Sequence, residues 1–403
     1  MTELTRVVTG GVDTHKDVHV AAVVDGVGRI LATSSFPATS TGYRRLAVWL
    51  GTFGRVERVG VEGTGSYGAG LARHLAELKI EVIEVNRQNR QARRQRGKSD
   101  TADAEAAARA ALNGEATGTP KSQDGLVESI RALRVAFTSM RDTRTRMGNQ
   151  IRDLAITAPD ELRSTIGPLG TEARAQRCAR FRPGAVTDPV EGTKVALRAL
   201  GRQYEALTIE LDVLRGHLDE LTTRANPALR AAKGVGLDVA SILLIAAGDN
   251  PERLTSDAAL AALCGVSPVE ASSGKTVRHR LNQGGNRQAN HALWRIAIVR
   301  LTCDPRTQAY AERRRAEGKT SREIIRCLKR YIAREVFVLL TKPRPSLNGA
   351  DLRKTRTAAG LTLAMAAEHL GTWPSRVSEL ERGLKHDADL AARYQAWLTL
   401  HAA

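Results

Sequence analysis

The sequence is poor in cysteine and has no long apolar run. Its four cysteines, Cys178, Cys264, Cys303 and Cys327, are far apart in the 403-residue chain and form no C-x-x-C pair. This pattern indicates neither a disulfide framework nor a thiolate zinc site. No apolar run is long enough to span a membrane, and the N-terminus lacks a signal-peptide pattern. These absences predict a soluble protein of the reducing cytoplasm that has no membrane partner.

Acidic residues are also scarce relative to basic ones. The chain has 61 Lys and Arg against 43 Asp and Glu, which leaves a net charge of +18. Residues 273–334 alone hold sixteen basic and four acidic residues, so two-thirds of the surplus lies there. Such a surplus favours a polyanionic partner, with nucleic acid as the first candidate. The length predicts two to four domains.

The first third of the chain has the pattern of an α/β domain. Short β-rich segments separated by turn residues predict an antiparallel meander at residues 6–13, 17–24 and 29–35. Helices and strands that alternate as in parallel βαβ units then follow at residues 41–50, 58–62, 67–78 and 80–85. A meander followed by alternating β and α segments is the order expected of a ribonuclease H-like fold.

Four acidic residues fall where that fold gathers carboxylates. Asp13 and Glu62 end the first and fourth strands, and Asp100 and Asp103 share one face of an alanine-rich helix. Carboxylate oxygens suit Mg²⁺ (or Mn²⁺), and a metal pair can stabilise the attacking and leaving oxygens of a phosphoryl displacement. Each acid alone also fits a turn or a helix cap, with Ser99 or Asp100 as the N-cap. Their joint placement favours a metal site.

Two neighbouring segments bear on this site. A basic run just before Asp100 could hold a phosphate chain through Arg93, Arg94, Arg96 and Lys98. The segment GTGSYG at residues 63–68, with Glu84 further on, also satisfies a dinucleotide-binding fingerprint. It follows the fourth strand and not the first, it abuts Glu62, and it leaves the basic run unexplained. We therefore interpret its glycines as a place where backbone approaches a phosphate.

Two segments have regular heptad spacing. Apolar residues alternate in steps of four and three over residues 126–154, where only Arg144 interrupts them, and over residues 197–221. Such stripes predict coiled-coil helices. The prolines between the two stripes interrupt the rod, at Pro159, Pro168, Pro183 and Pro189. The helices could form an antiparallel hairpin within one chain or pair with a second subunit, and a stripe this narrow favours at least some intermolecular pairing.

The chain changes character after residue 226. Residues 229–249 look like a helix-hairpin-helix whose G-V-G turn at 234–236 could offer N–H groups to a phosphate. Ser272 and Ser273 then lie in a glycine-flanked loop among basic residues, namely Lys275, Arg278, Arg280 and Arg287. A serine there fits a plain turn. It is also a competent nucleophile toward a phosphodiester, if its proton is removed and the phosphorane is neutralised.

The order of these motifs resembles a known family. D-T-H-K at 13–16, E-G-T-G-S-Y-G at 62–68, K-S-D-T-A-D-A at 98–104, G-V-G-L at 234–237 and S-S-G with a downstream G-G-N are similar to the DEDD transposases of bacterial insertion sequences. These are also called bridge-RNA-guided serine recombinases, and the resemblance covers roughly residues 6–340.

The resemblance implies a site and an assembly. It implies a Holliday-junction-resolvase-like domain whose metal ligands are Asp13, Glu62, Asp100 and Asp103. It also implies a serine nucleophile at Ser273, with Ser272 as the alternative. Members of the family form dimers and tetramers, combine the metal site and the serine from different subunits, and use a structured guide RNA to choose target and donor DNA.

Residues 351–383 have a separate resemblance, to the helix-turn-helix of Cro-type repressors. The segment TKPRPSLNG at 341–349 is a predicted linker before it. In such a motif the recognition helix enters the major groove, where it would present Ser375, Arg376, Ser378 and Glu379. Leu363 and the Trp373-Pro374 pair depart from the usual pattern.

Together these patterns predict a multidomain α/β plus all-α protein. The predicted parts are a ribonuclease H-like DEDD catalytic domain at 1–118, a coiled-coil oligomerisation region at 119–225, a helical transposase domain with the serine loop at 226–340, the linker, and a helix-turn-helix domain at 350–403. The predicted function is a DNA transposase that cuts and rejoins strands through a metal-assisted serine and a phosphoserine intermediate. The alternatives are a resolvase-like nuclease that uses water, and a non-catalytic DNA-binding regulator.

Overall fold

The computed structural model describes residues 6–85, 99–273, 279–341, 349–382, 384 and 387–401. The chain divides into two compact units. Unit 1 comprises residues 1–125 together with 247–255, and unit 2 comprises residues 126–246 together with 256–403. Among the described residues, no helix combines the length and the apolar character that a membrane crossing requires.

Unit 1 is built on a five-stranded sheet. Its strands are β1 (Val7–Thr14), β2 (Val18–Asp25), β3 (Ile30–Pro37), β4 (Arg55–Glu62) and β5 (Glu81–Val85), in the order β3-β2-β1-β4-β5. Strands β1 to β3 form an antiparallel meander, whereas β4 is parallel to both β1 and β5. The predicted succession of meander and parallel strands is confirmed, although β4 begins three residues before its predicted start.

The two faces of the sheet are covered differently. Helices α1 (Ser40–Gly51) and α2 (Ala69–Glu77) pack on one face and bury large apolar side chains against it. The core residues of this layer include Leu46, Leu50, Leu71 and Leu75 from the helices and Val12, Val59 and Val61 from the strands. Because side chains alternate along a strand, Gly11 and Asp13 of β1, and Gly60 and Glu62 of β4, belong to the opposite face.

Helix α3 (Asp100–Leu112) covers that opposite face through small residues. A Cβ atom added to Gly11 would lie 2.1 Å from the backbone N of Ala108, and one added to Gly60 would lie 2.4 Å from the carbonyl O of Ala107. Glycine in the strands and alanine in the helix therefore let the two backbones come into contact. The helix begins after Ser99, whose hydroxyl accepts a hydrogen bond from Ala102 N.

The two long helices of unit 2 pack against each other within the chain. They are α4 (Leu126–Thr157) and α7 (Pro189–Ala225). The Arg144 guanidinium lies over the ring of Tyr204, while Ile151, nearer the end of α4, shares a core with Leu197, nearer the start of α7. This arrangement is antiparallel. Of the two pairings that the heptads allowed, the structure contains the intramolecular one, and an additional intermolecular pairing stays a prediction.

Shorter helices complete unit 2. Between α4 and α7 lie α5 (Asp160–Ile166) and α6 (Thr171–Ala179), in the proline-containing stretch. After α7 come α8 (Pro227–Ala231), α9 (Leu237–Ala247), α10 (Asp257–Leu263), α11 (Arg287–Cys303), α12 (Pro305–Ala316) and α13 (Ser321–Thr341). A short antiparallel pair, β6 (Val269–Glu270) and β7 (His279–Arg280), lies between α10 and α11.

The last four helices share a core of their own. They are α14 (Gly349–Ala358), α15 (Leu363–Leu370), α16 (Pro374–Glu381) and α17 (Ala388–His401). The chain therefore combines an α/β segment with a largely helical remainder, as predicted. The interior of the predicted linker, residues 342–348, lies outside the described residues.

Candidate functional site

Strands β1 and β4 place Asp13 and Glu62 side by side. The parallel register pairs Val12 with Val61, and the two acids are the next residues along their strands. Both lie on the face that α3 covers, because they are two residues beyond Gly11 and Gly60. The Thr14 hydroxyl donates a hydrogen bond to the carbonyl O of Glu62 at 2.7 Å, which ties the two strand ends together.

His15 connects Asp13 to the start of α3. Its Nε2 lies 3.1 Å from Asp13 Oδ2 and 3.4 Å from Asp100 Oδ1. One ligand atom from each of these three residues lies within 4.8 Å of the other two, which is close enough for all three to hold one ion. Asp13 is buried, whereas His15 and Asp100 are about half exposed. The group therefore has a protected side and an open side.

The electrostatics of Asp13 reflect the gathering of carboxylates. Burial raises the pKa of the Asp13 carboxyl, and the negative charges of Asp103 and Asp100 raise it further, while His15 opposes the rise. Asp103 is thus within electrostatic reach of Asp13. The structure brings Asp13, Asp100 and Asp103 together and places Glu62 on the adjacent strand.

His15 was not among the predicted site residues, although it lies in the D-T-H-K motif. The available signal was its spacing from Asp13. Residues at i and i+2 of an extended segment point to the same face, so an imidazole two residues after a strand-end carboxylate belongs to the same site.

The glycine-containing turn after β4 is tied down by residues of unit 1. The Thr64 hydroxyl donates to Glu84 Oε1 at 2.8 Å, and Gln123 Nε2 donates to the Thr64 carbonyl at 3.0 Å. Arg253 Nη2 lies 3.5 Å from the other oxygen of Glu84. In a dinucleotide site the acid would bind a ribose, but here the Glu84 carboxylate is engaged by protein groups. The structure thus gives Glu84 a role in holding the turn next to Glu62.

The two serines lie just after β6, in the connection to β7. Both Ser272 and Ser273 are exposed. The base of this connection is fixed, since Asn290 Nδ2 donates to the carbonyls of Cys264 and Gly265 at 2.9 and 3.1 Å. Lys329 Nζ in turn donates to Asn290 Oδ1 at 2.8 Å. These bonds anchor the residues that precede β6 to α11 and α13.

The predicted nucleic-acid-binding residues fall into three groups. Six lie outside the described residues, namely Arg93, Arg94, Arg96, Lys98, Lys275 and Arg278. Arg280 of β7, Arg287 at the start of α11 and Ser375 of α16 are exposed. Arg376 and Ser378 are partly buried, and Arg376 Nη2 lies 3.1 Å from Asp387 Oδ2. Ion pairing of Arg376 therefore restricts how it could reach a base.

A buried polar network holds the last helices together. Arg356 donates to both carboxylate oxygens of Glu381, at 2.7 and 3.0 Å, and the Tyr394 hydroxyl donates to Glu381 Oε1 at 2.6 Å. Burial, followed by the contact with Glu381, raises the pKa of Tyr394 well above its usual value. The turn between α15 and α16 contains Gly371 in the left-handed conformation, with φ +63°.

Comparisons with known proteins match two separate stretches of the chain. A family model described as "Transposase", of the DEDD type from IS110 elements, matches residues 10–156, a range that contains all four predicted acids. A second model, "Transposase IS116/IS110/IS902 family", matches residues 226–312, which contain Ser273. Together the two matches cover more than half of the chain.

One curated relative is similar over part of its length. It is the insertion element IS110 uncharacterized 43.6 kDa protein of Streptomyces coelicolor, 30% identical over 171 residues, which are 42% of this chain and 39% of that protein. The aligned region thus spans about two-fifths of the relative. On the two family matches, and in agreement with this relative, the chain belongs to the IS110 family of transposases.

Proposed function

We propose that the chain is a DNA transposase that cuts and rejoins the strands of an insertion sequence. In this proposal the segment with the five-stranded sheet is a ribonuclease H-like catalytic domain, and the serine loop supplies the nucleophile. The observation that carries it is the meeting of Asp13, Asp100 and Asp103 at the end of β1, inside a segment that matches a DEDD transposase model.

The donor set fits a divalent metal ion. Asp13 and Asp100 would hold Mg²⁺ or Mn²⁺, with Glu62 and Asp103 completing the set, and carboxylate oxygens are the ligands that these ions accept. Such an ion supplies charge stabilisation to the oxygens of a phosphoryl group in transfer. The pKa of Asp13 is raised mainly by burial and further by the charges of Asp103 and Asp100, and a cation bound among these carboxylates would offset both effects.

Ser273 is the proposed nucleophile, with Ser272 as the alternative. Its Oγ would lose a proton and bond to a DNA phosphorus as one phosphorus–sugar oxygen bond breaks, and the released sugar hydroxyl takes up a proton. The phosphoserine ester bond replaces the phosphorus–sugar oxygen bond that was broken. Rejoining by attack of a sugar hydroxyl on this phosphoserine therefore needs no ATP. The exposure of Ser273 and the basic residues around it support this role.

Single substitutions test the mechanism in a transposition assay that also traps covalent protein–DNA adducts. We expect Asp13→Asn and Ser273→Ala to abolish rearrangement, and Ser273→Ala to abolish the adduct, whereas Ser272→Ala is the matched control that retains both. Cutting that persists in Ser273→Ala without an adduct would favour hydrolysis by water. Rearrangement that survives both changes would favour a non-catalytic DNA-binding regulator.

A structured guide RNA and a dimer or tetramer are further parts of the proposal. They rest on the family resemblance and on the net charge of +18, which suits more than one polyanion. Purification from the host followed by sequencing of bound nucleic acid should recover one discrete RNA from the ends of the element. Protein that is active in transposition but free of RNA would contradict the guided mechanism.

The last four helices are proposed to contain a helix-turn-helix that binds DNA. A three-residue turn separates α15 from α16, and the buried small residue Ala367 lies in the core they share. Helix α16 would then enter the major groove and present Ser375. The exposure of Ser375 at the start of α16 supports this orientation.

A further inference from the structure

We propose that His15 is a metal ligand, which turns the carboxylate site into a mixed nitrogen and oxygen site that selects Mn²⁺ over Mg²⁺. The inference rests on the proposed function, because it takes the ion to be bound at Asp13 and Asp100. It goes beyond that function in assigning a role to the imidazole and a preference among metals. The neighbouring residues support it in three steps.

The first step is geometric. Neighbouring ligands of an octahedral ion with bonds of about 2.1 Å lie about 3.0 Å apart. The Nε2 atom of His15 is 3.1 Å from Asp13 Oδ2 and 3.4 Å from Asp100 Oδ1. These spacings suit a nitrogen that occupies one position beside two carboxylate oxygens. The three ligand atoms lie within 4.8 Å of one another, so a bound ion would have to draw them only slightly closer.

The second step is the way the backbone holds His15. The His15 N–H donates to the carbonyl of Val18 at 3.2 Å, which closes the tight turn between β1 and β2. The preceding residue, Thr14, is fixed by its bond to the Glu62 carbonyl. A ligand held by two such anchors is positioned before the ion arrives, and positioning of this kind is typical of metal sites on rigid elements.

The third step is chemical. Both ions favour carboxylate oxygen, but Mn²⁺, the first member of the Irving–Williams series, gains more than Mg²⁺ from a nitrogen ligand. Neutral imidazole can give its Nε2 lone pair to an ion, and in its protonated form it can instead bridge the two carboxylates as a cation. The bridging role needs no metal. The two roles therefore differ in whether nitrogen is bonded to the ion.

Electron paramagnetic resonance of Mn²⁺ bound to the full-length protein separates these roles. Electron spin-echo modulation by ¹⁴N is strong when an imidazole is coordinated to the ion and much weaker when a nearby nitrogen is not bonded to it. We expect this modulation in the wild-type protein and in His217→Gln, a change to an exposed histidine of α7. We expect its loss in His15→Gln, with Mn²⁺ affinity lowered by about tenfold or more and Mg²⁺ affinity lowered less. Thermal unfolding of each variant checks that it is folded.

The outcomes keep the inference separate from the proposed function. If Asp13→Asn removes Mn²⁺ binding but the wild-type spectrum lacks ¹⁴N modulation, the metal site stands and the role of His15 is wrong. An equal loss of Mn²⁺ and Mg²⁺ affinity in His15→Gln would likewise overturn the claimed selectivity. If Mn²⁺ binds equally well after Asp13→Asn, the metal site of the proposed function fails along with the inference.

Discussion

At the scale of single residues, two glycines decide where the acids meet. Gly11 and Gly60 carry no Cβ, and α3 lies in the space that those atoms would take. Asp100 and Asp103 occupy the first turn of that helix, so their distance from Asp13 depends on how closely the helix approaches the sheet. The missing Cβ atoms of these two glycines thus determine how near the acids of α3 lie to Asp13.

A substitution at Gly11 tests this dependence. In Gly11→Ala the new methyl group would lie 2.1 Å from backbone, so α3 must move away from the sheet. Overpacking of this kind costs about 1–3 kcal/mol of unfolding free energy. We expect a lower melting temperature and weaker binding of Mn²⁺. Gly26→Ala is the matched control, since a Cβ there meets nothing within 4 Å, and an equal loss in both variants would refute the explanation.

At the scale of elements, the sequence predicted where the long helices lie along the chain but did not decide which helices pack together. The heptad stripes located α4 and α7 because burial requires that spacing in any coiled coil. The same stripe satisfies a hairpin or a dimer, so only the contacts of Arg144 with Tyr204 and of Ile151 with Leu197 identify the pairing within the chain. The heptad pattern predicts which face of each helix is buried, but it does not predict which helix packs against that face.

The C-terminal helices provide a prediction at the same scale. Glu381→Gln removes the charge that Arg356 pairs with, and an uncompensated buried guanidinium costs about 3–5 kcal/mol. We expect faster amide hydrogen exchange in α16 and α17, measured by mass spectrometry, and weaker DNA binding if these helices form the proposed helix-turn-helix. The control for the exchange measurement is Glu379→Gln, because the partly exposed contact of Glu379 with Arg376 contributes about 0–1 kcal/mol. Unchanged exchange in Glu381→Gln would show that the network does not hold the helices.

At the scale of the whole molecule, the charge surplus sets how the protein meets its partners. Counterion release makes binding to a nucleic acid weaken with salt in proportion to the number of phosphates contacted. The exposed Arg287 lies in the segment that holds most of the surplus. A substitution of Arg287 therefore measures what a single phosphate contact contributes to nucleic-acid binding.

We expect Arg287→Ala to lower the slope of log affinity against log salt by about one, with a similar loss on every DNA sequence. Fluorescence anisotropy at several salt concentrations gives this slope. Arg131→Ala is the control, because Arg131 already pairs with both oxygens of Glu128. A loss confined to one DNA sequence would indicate base recognition by Arg287 and not phosphate contact.

The sequence predicted the sheet well because alternation, turns and chain order are local signals. A shared metal site of Asp13, Glu62, Asp100 and Asp103 stays a prediction; the structure places Asp13 and Asp100 beside His15, and Asp103 within electrostatic reach of Asp13. His15 was not among the predicted site residues, although its position two residues after Asp13 was a usable signal; its distance to Asp100 is set only in the folded chain. The ion pair of Glu84 with Arg253 could likewise not be predicted from the sequence. The two residues are remote along the chain, and only the folded protein brings them together.

The position of Arg253, far along the chain from its partner Glu84, affects how unit 1 can be produced as a separate fragment. Residues 247–255 belong to unit 1, although more than a hundred residues of unit 2 precede them. Asn250 accepts from Ser122 N and donates to the Pro120 carbonyl, and Arg253 reaches both Glu84 and the Thr119 carbonyl. A fragment cut after Gly125 would therefore lack part of its own fold. An isolated unit 1 would be complete only if residues 247–255 were joined to residues 1–125.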